Sequence, residues 1–149
     1  MKKALITGIT GQDGSYLSEF LLSKNYEVYG SISNSSNFEL GSRALDSRTK
    51  YLSDKIKLLR ADLKDKSSLI KAIDKIRPDE IYNLGSISFV QTSFKDPEEV
   101  LDVNGTGVVR LLEAIRKVNP AIKIYQASSS EMFGKVKESP QNENTPFYP

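Results

Sequence analysis

Lys3-Ala4-Leu5-Ile6-Thr7-Gly8-Ile9-Thr10-Gly11-Gln12-Asp13-Gly14-Ser15-Tyr16 is the stretch that decides the fold. Ala4 to Ile6 is a short apolar run of the kind that fills a buried strand. Three glycines follow at a spacing of three, and Tyr16, Leu17, Phe20 and Leu21 then recur at helical spacing. Strand, glycine turn and helix in that order are the context that a nucleotide-phosphate site requires. Gly8 turns the chain sharply off the strand. Gly11 leaves no side chain where the backbone must approach a pyrophosphate, and Gly14 lets the helix sit close to the sheet. The helix N-terminus presents free N–H groups and a positive dipole end to phosphates. Thr10, Gln12 and Asp13 lie within the same turn and join the glycines as binding candidates. An ordinary Gly-rich turn is the alternative reading of the glycines alone.

Outward from this stretch, residues 15–24 continue as the first helix, and Asn25 sits where a left-handed C-cap is tolerated. Tyr26 to Ile32 reads as a second strand, which completes a βαβ unit with a right-handed crossover. The end of this strand normally selects the cofactor. An acid there binds a ribose 2′-hydroxyl and an arginine a 2′-phosphate. Ser33-Asn34-Ser35-Ser36 offers neither; Asn34 and Ser35 are the candidates to face the ribose, and a plain polar loop is the alternative. Nothing acidic there repels a 2′-phosphate, so NADP is favoured and NAD remains open, with Arg43 or Arg48 in the following loop as sources of charge. The long Ser- and Asn-rich stretch 33–50 has no periodicity.

Lys55 to Arg60 is a third strand, followed by Asp62 and Leu63 at the ligand-binding edge of a parallel sheet. Asp62 is either a contact to the adenine amino group or a loop cap. Asp65 caps a helix whose apolar face is Leu69, Ile70, Ile73 and Ile76, and Arg77-Pro78 ends it. Glu80 to Leu84 is a fourth strand, with the small residues Gly85, Ser86 and Ser88 at its end, where a cofactor can approach or where the chain simply turns. Asp96-Pro97-Glu98-Glu99 starts a helix that runs past Ile115 and stops before Asn119-Pro120. Asn104 falls on its apolar stripe and is expected to be buried; Gly105 and Gly107 suggest close approach to the sheet. Residues 122–127 are a fifth strand ending at Ser128-Ser129-Ser130-Glu131, and 134–149 adds no further element. Hydroxyls and a carboxylate at that edge can bind a sugar and move a proton, although a serine-rich turn with a capping acid would look the same.

The composition bounds the class. The 149 residues suit one domain, 1–149, with a real core, 38% hydrophobic and 27% charged. With 21 basic and 19 acidic residues the net charge is +2, without a basic stripe, so nucleic acid is not an expected partner. Cysteine and histidine are absent, which removes disulfide, thiolate and His-triad chemistry and the usual zinc sites; no metal is expected. No apolar run approaches membrane-spanning length and no signal peptide is evident, so a cytoplasmic protein is expected.

The glycine spacing, with two residues between the first pair, resembles that of the short-chain dehydrogenase/reductases, especially their extended branch. The likeness sharpens with Ala4 to Leu17, Glu80-Ile81-Tyr82-Asn83-Leu84-Gly85, Tyr125-Gln126-Ala127-Ser128 through Glu131, Gly134-Lys135-Val136, and Thr145-Pro146-Phe147-Tyr148-Pro149. Together these resemble the N-terminal part of the GDP-mannose 4,6-dehydratase family. That resemblance implies a three-layer, Rossmann-like, doubly wound parallel sheet in the order 3-2-1-4-5, with the C-terminal, substrate-binding part of the family fold missing. It implies that Ser129 matches a catalytic Ser/Thr that hydrogen-bonds the sugar O4. Glu131 matches the acid/base that removes the C5 proton and helps expel the C6 hydroxyl. NADP as cofactor, a GDP-sugar as substrate and a homo-oligomer at full length are implied likewise. Two departures stand out: the family carries Arg-Arg where Ser33-Asn34 stands, and its catalytic position is often Thr. The family's Tyr-x-x-x-Lys pair follows the Thr-Pro-Phe-Tyr-Pro stretch. The one match here, Tyr51 to Lys55, precedes the third strand, in the wrong context. A portion of a longer enzyme, inactive alone, is therefore expected. The alternatives are an epimerase or reductase acting on another sugar nucleotide, or a non-catalytic dinucleotide-binding module.

Overall fold

The computed structural model describes residues 1–33, 52 and 54–149. Five strands, β1 (Lys3–Thr7), β2 (Glu27–Ile32), β3 (Ile56–Arg60), β4 (Glu80–Asn83) and β5 (Lys123–Gln126), form one parallel sheet in the order β3-β2-β1-β4-β5. The expected strand order is the observed one. Helix α1 (Gln12–Ser23) covers one face; α2 (Lys66–Ile76) and α5 (Gly107–Val118) cover the other.

Alternation along β1 explains the two cores. Ala4 and Ile6 face α1 and pack with Ile9, Leu21, Val28 and Ile56. Leu5 faces the opposite way and packs with Leu69, Ile73, Ile81, Leu111 and Ile115 from β4, α2 and α5. A sheet covered on both faces gives near-continuous apolar strands, as Ala4-Leu5-Ile6 shows.

Local signals behave as the side chains dictate. Asp65 caps α2 by accepting from the Ser67 N–H, and Arg77 ends it in a left-handed conformation, φ 51°. Asn25 adopts φ 62° just past α1. α1 begins at Gln12, three residues earlier than the sequence reading, because the Ser15 N–H already bonds the Gly11 carbonyl.

The segment from Asp96 departs more. The single helix expected there is three pieces: α4 (Pro97–Leu101), a π-helical turn over Asp102–Thr106, and α5. A short helix, α3 (Val90–Lys95), precedes them. Asp96 caps α4 as expected, accepting from the Glu99 N–H. Asn104 is exposed rather than buried, yet its amide is paired with backbone, accepting from the Ile87 N–H at 2.8 Å and donating to the Ile87 carbonyl at 2.9 Å. The π turn at the weak Gly105 position takes Asn104 off the apolar stripe that straight helical periodicity assigns it. Gly107 does lie close to its neighbours: a Cβ there would stand 3.0 Å from Leu63 Cβ.

Residues 134–149 contain turns only, as expected. They fold back on themselves: the Lys135 N–H donates to the Tyr148 carbonyl at 3.0 Å, and the Phe133 and Phe147 rings lie 5.5 Å apart. No helix among the described residues is long and apolar enough to cross a membrane.

Candidate functional site

The strand C-termini carry the site, and the glycine turn is its tightest part. Gly8 has φ +68°, and a Cβ on it would come within 2.8 Å of the Gly85 N. Turn and β4 terminus therefore touch backbone to backbone, which only glycine permits. At Gly14 a Cβ would lie 2.5 Å from the Gly8 carbonyl oxygen, so the first turn of α1 sits directly on the glycine turn. Gly11, Gln12 and Asp13 are exposed at the start of α1, leaving its N–H groups open to solvent.

Two cavities meet at the Gly85–Ile87 loop, and the smaller one borders this turn. The smaller, of about 270 Å³, is lined by Gly8 and Thr10 from the turn, Ser31 and Ile32 from β2 and Ser33 just after it, Asp62 and Leu63 after β3, and Gly85 and Ser86 after β4. The larger, of about 800 Å³, is bounded by Ser86, Ser88, Asn104, Gln126, Ser129 and Glu131 among others. Gly85, Ser86 and Ile87 line both. The chain thus brings together Gly8, Thr10, Asp62, Leu63, Gly85, Ser86, Ser88, Ser129 and Glu131 along one continuous edge. Leu84 instead packs toward the α1-side core. Asn34, Ser35, Arg43, Arg48 and Tyr51 lie outside the described residues.

Asp62 is 8% exposed and works as a loop cap, its carboxylate accepting from the Lys64 N–H at 2.9 Å while it lines the smaller cavity. Ser129 and Glu131 are exposed. Ser129 Oγ accepts from the Glu131 N–H at 3.1 Å, a local turn that aims both side chains from one short segment.

A polar ladder beneath the site was not visible in the sequence. The Gly85 N–H donates to Thr7 Oγ1 at 2.9 Å, and Thr7 donates to Asn83 Oδ1 at 2.5 Å. Asn83 Nδ2 donates in turn to Gln126 Oε1 at 2.7 Å. Thr7 and Asn83 are buried, at 2% and 1% exposure, so the ladder ties β1, β4 and β5 together just below the cavities. At the opposite end of the sheet Tyr82 donates to Glu80 at 2.8 Å; burial first, and then the Glu80 carboxylate, push its phenol up to about 12.

The model of the family described as GDP-mannose 4,6 dehydratase matches residues 5–149. The chain belongs to that family. It is 50% identical over 152 residues to the GDP-mannose 4,6 dehydratase of Cricetulus griseus, covering 99% of this chain and 41% of that protein. It is 49% identical over 150 residues to that of Homo sapiens, covering 98% and 40%. The chain therefore spans about two fifths of the length of these dehydratases. Among solved structures it resembles UDP-glucose 4-epimerase from Bifidobacterium longum in complex with NAD+ and UDP, with a TM-score of 0.81, 24% identity, and 99% of this chain and 43% of that one covered. The Brucella ovis UDP-glucose 4-epimerase in complex with NAD superposes with a TM-score of 0.82 at 20% identity, covering 100% and 42%. At such identities these two establish the shared fold alone.

Proposed function

We propose that the complete protein converts GDP-mannose to GDP-4-keto-6-deoxymannose by removing water, with NADP as the resident dinucleotide. The observation that carries this reading is the single strand edge on which the glycine turn, the Gly85–Ser88 loop and the Ser129–Glu131 segment meet. The residues present fit a dinucleotide. Side chains at Gly8 and Gly14 would collide with backbone, and Gly11 keeps the approach to the α1 N-terminus clear.

In this reading the exposed first turn of α1, with Gln12 and Asp13, holds the pyrophosphate. The smaller cavity takes the adenosine half, with Asp62 and Leu63 against the base and Ser33 toward the ribose. The Gly85, Ser86 and Ser88 loop borders the nicotinamide half. When bound, the dinucleotide supplies a hydride acceptor for the sugar C4 and a hydride donor for C6. Ser129 Oγ hydrogen-bonds the sugar O4 and orients the ring. The Glu131 carboxylate takes the proton from C5, which the adjacent C4 carbonyl acidifies, and passes it to the departing C6 hydroxyl, which leaves as water with a C5–C6 double bond formed; a proton drawn from solvent then returns to C5 as the hydride reaches C6. These 149 residues by themselves bind dinucleotide without turnover.

The test is turnover of GDP-mannose by the complete protein and its Glu131→Gln variant. Glutamine keeps the size of the side chain and removes the base, so dehydration should fall by at least about 10²-fold while dinucleotide binding persists. Unchanged dehydration would remove Glu131 as the base, and turnover of GDP-mannose by the wild type without loss of water would remove the dehydratase reading in favour of an epimerase or reductase. Dinucleotide binding with no turnover of any sugar nucleotide by the wild type would leave a binding module. NADP preference is read separately, from the ratio of NADP to NAD dissociation constants.

A further inference from the structure

Arg110, on the first turns of α5, reaches two segments at once. Nη1 donates to the Leu63 carbonyl at 3.4 Å and to the Asp102 carbonyl at 3.2 Å, and Nη2 donates to Asp102 Oδ1 at 2.7 Å. Its side chain is 25% exposed, so these contacts are only partly screened by water. Both segments belong to the smaller cavity. Asp62, Leu63 and Lys64 form one wall; Glu99 and Val103, from α4 and the π turn, form the other. Two further contacts join the same walls. Lys64 and Glu99 pair at 2.9 Å on the rim, where the carboxylate holds the ammonium above its ordinary range. Gly107 lets the start of α5 lie against Leu63.

We propose that Arg110 is a positioning residue for this cavity: it fixes the separation of the two walls and thereby sets affinity for the adenosine half of the dinucleotide. This rests on the reading above that the adenosine half occupies the smaller cavity. The three contacts are not equivalent. The rim pair joins two half-exposed side chains and is worth little in water. Arg110 alone meets a backbone carbonyl of each wall, and its planar fork holds carbonyl and carboxylate together in a way a lysine cannot. A planar base gains its full dispersion only when both of its faces are in contact. A gap of about 0.5–1 Å forfeits a quarter to a half of each contact. Wall spacing is therefore an affinity control that requires no contact between Arg110 and the ligand. The π turn supplies the purchase, since the Asp102 carbonyl that Arg110 grips is the first residue of that turn.

The test titrates the complete protein, freed of dinucleotide, with ADP, and measures the KM for GDP-mannose at saturating dinucleotide. Arg110→Met removes the bridge; Arg110→Lys keeps the charge and one donor. ADP affinity should fall about tenfold in Arg110→Met and about threefold in Arg110→Lys, with the KM for GDP-mannose within about twofold of wild type. Arg116→Met, which cuts only an exposed pair with Glu113 further along α5 and away from both cavities, should change ADP affinity less than about twofold. ADP binding left intact in a folded Arg110 variant overturns the proposal, as does an equal loss in ADP affinity and in KM, which would mark general loosening of the fold. Should Arg110→Met fail to fold, Arg110→Lys decides, and failure of both to fold assigns Arg110 to the fold and overturns the proposal. Absence of ADP binding by the wild type overturns the cavity reading and this proposal together.

Discussion

Thr7→Val isolates the ladder that joins the strands below the site. Valine fills the space of threonine without the hydroxyl, so steric change is small and the loss is one of hydrogen bonding. Thr7 Oγ1 accepts from the Gly85 N–H at 2.9 Å and donates to Asn83 Oδ1 at 2.5 Å, in a site where Thr7 is 2% exposed. Removing the hydroxyl leaves a donor and an acceptor without this partner, at about 1–3 kcal/mol each, or about 2–6 kcal/mol together. The added apolar methyl returns about 1 kcal/mol, for a net loss of about 1–5 kcal/mol. Thr7→Ser keeps both hydrogen bonds and loses one methyl, costing about 1 kcal/mol. Urea unfolding of the complete protein measures both variants, with the slope of the transition expected unchanged. Dinucleotide affinity should fall with Thr7→Val as well, because Gly85 lines both cavities. A Val variant within about 0.5 kcal/mol of wild type, or a Ser variant as damaged as Val, would refute the reasoning.

Gly14→Ala places a Cβ where the Gly8 oxygen stands 2.5 Å away and Ile9 Cα 2.7 Å, both backbone atoms that cannot swing aside. It should cost about 1–3 kcal/mol and at least about tenfold in dinucleotide affinity, read by calorimetric titration. Ser129→Ala should lower kcat by about 10²-fold while Ser129→Thr, which keeps the hydroxyl, stays within about threefold of wild type. Tyr82 has its folded-state value raised to about 12 from an ordinary 10, so its contribution to stability is fully present below pH 10 and is lost as pH rises from there through 12. Unfolding midpoints between pH 9 and about 12 should therefore fall more steeply in the wild type than in Tyr82→Phe.

The central βαβ unit was legible because its signals are local: an apolar strand, glycines at fixed offsets and a helical stripe fall within one short window. Asp65, Asp96-Pro97 and Asn25 were legible for the same reason, since a cap acts on residues two or three positions away. The parallel strand order is what the family resemblance implies, and the observed sheet matches it. What stayed hidden depends on distant partners. Asn104 satisfies Ile87, 17 positions away, and nothing in the periodicity around Asn104 signals that. Thr7, Asn83 and Gln126 look like ordinary strand residues until the sheet aligns them. Arg110 reads as a helix-surface charge, yet it reaches across 47 positions to Leu63. The split of one expected helix at the π turn is the same lesson. Gly105 and Gly107 announced weakness, but the site of the break depended on tertiary contacts.

The most direct test of the account is the product formed from GDP-mannose by the complete protein with NADP in deuterated water, followed by NMR and mass spectrometry. The account predicts a sugar nucleotide that has lost one water, carries a 4-keto-6-deoxy sugar with solvent deuterium at C5, and leaves no net reduced dinucleotide. A product of unchanged mass, or reduced dinucleotide accumulating in step with an oxidised sugar, would contradict it.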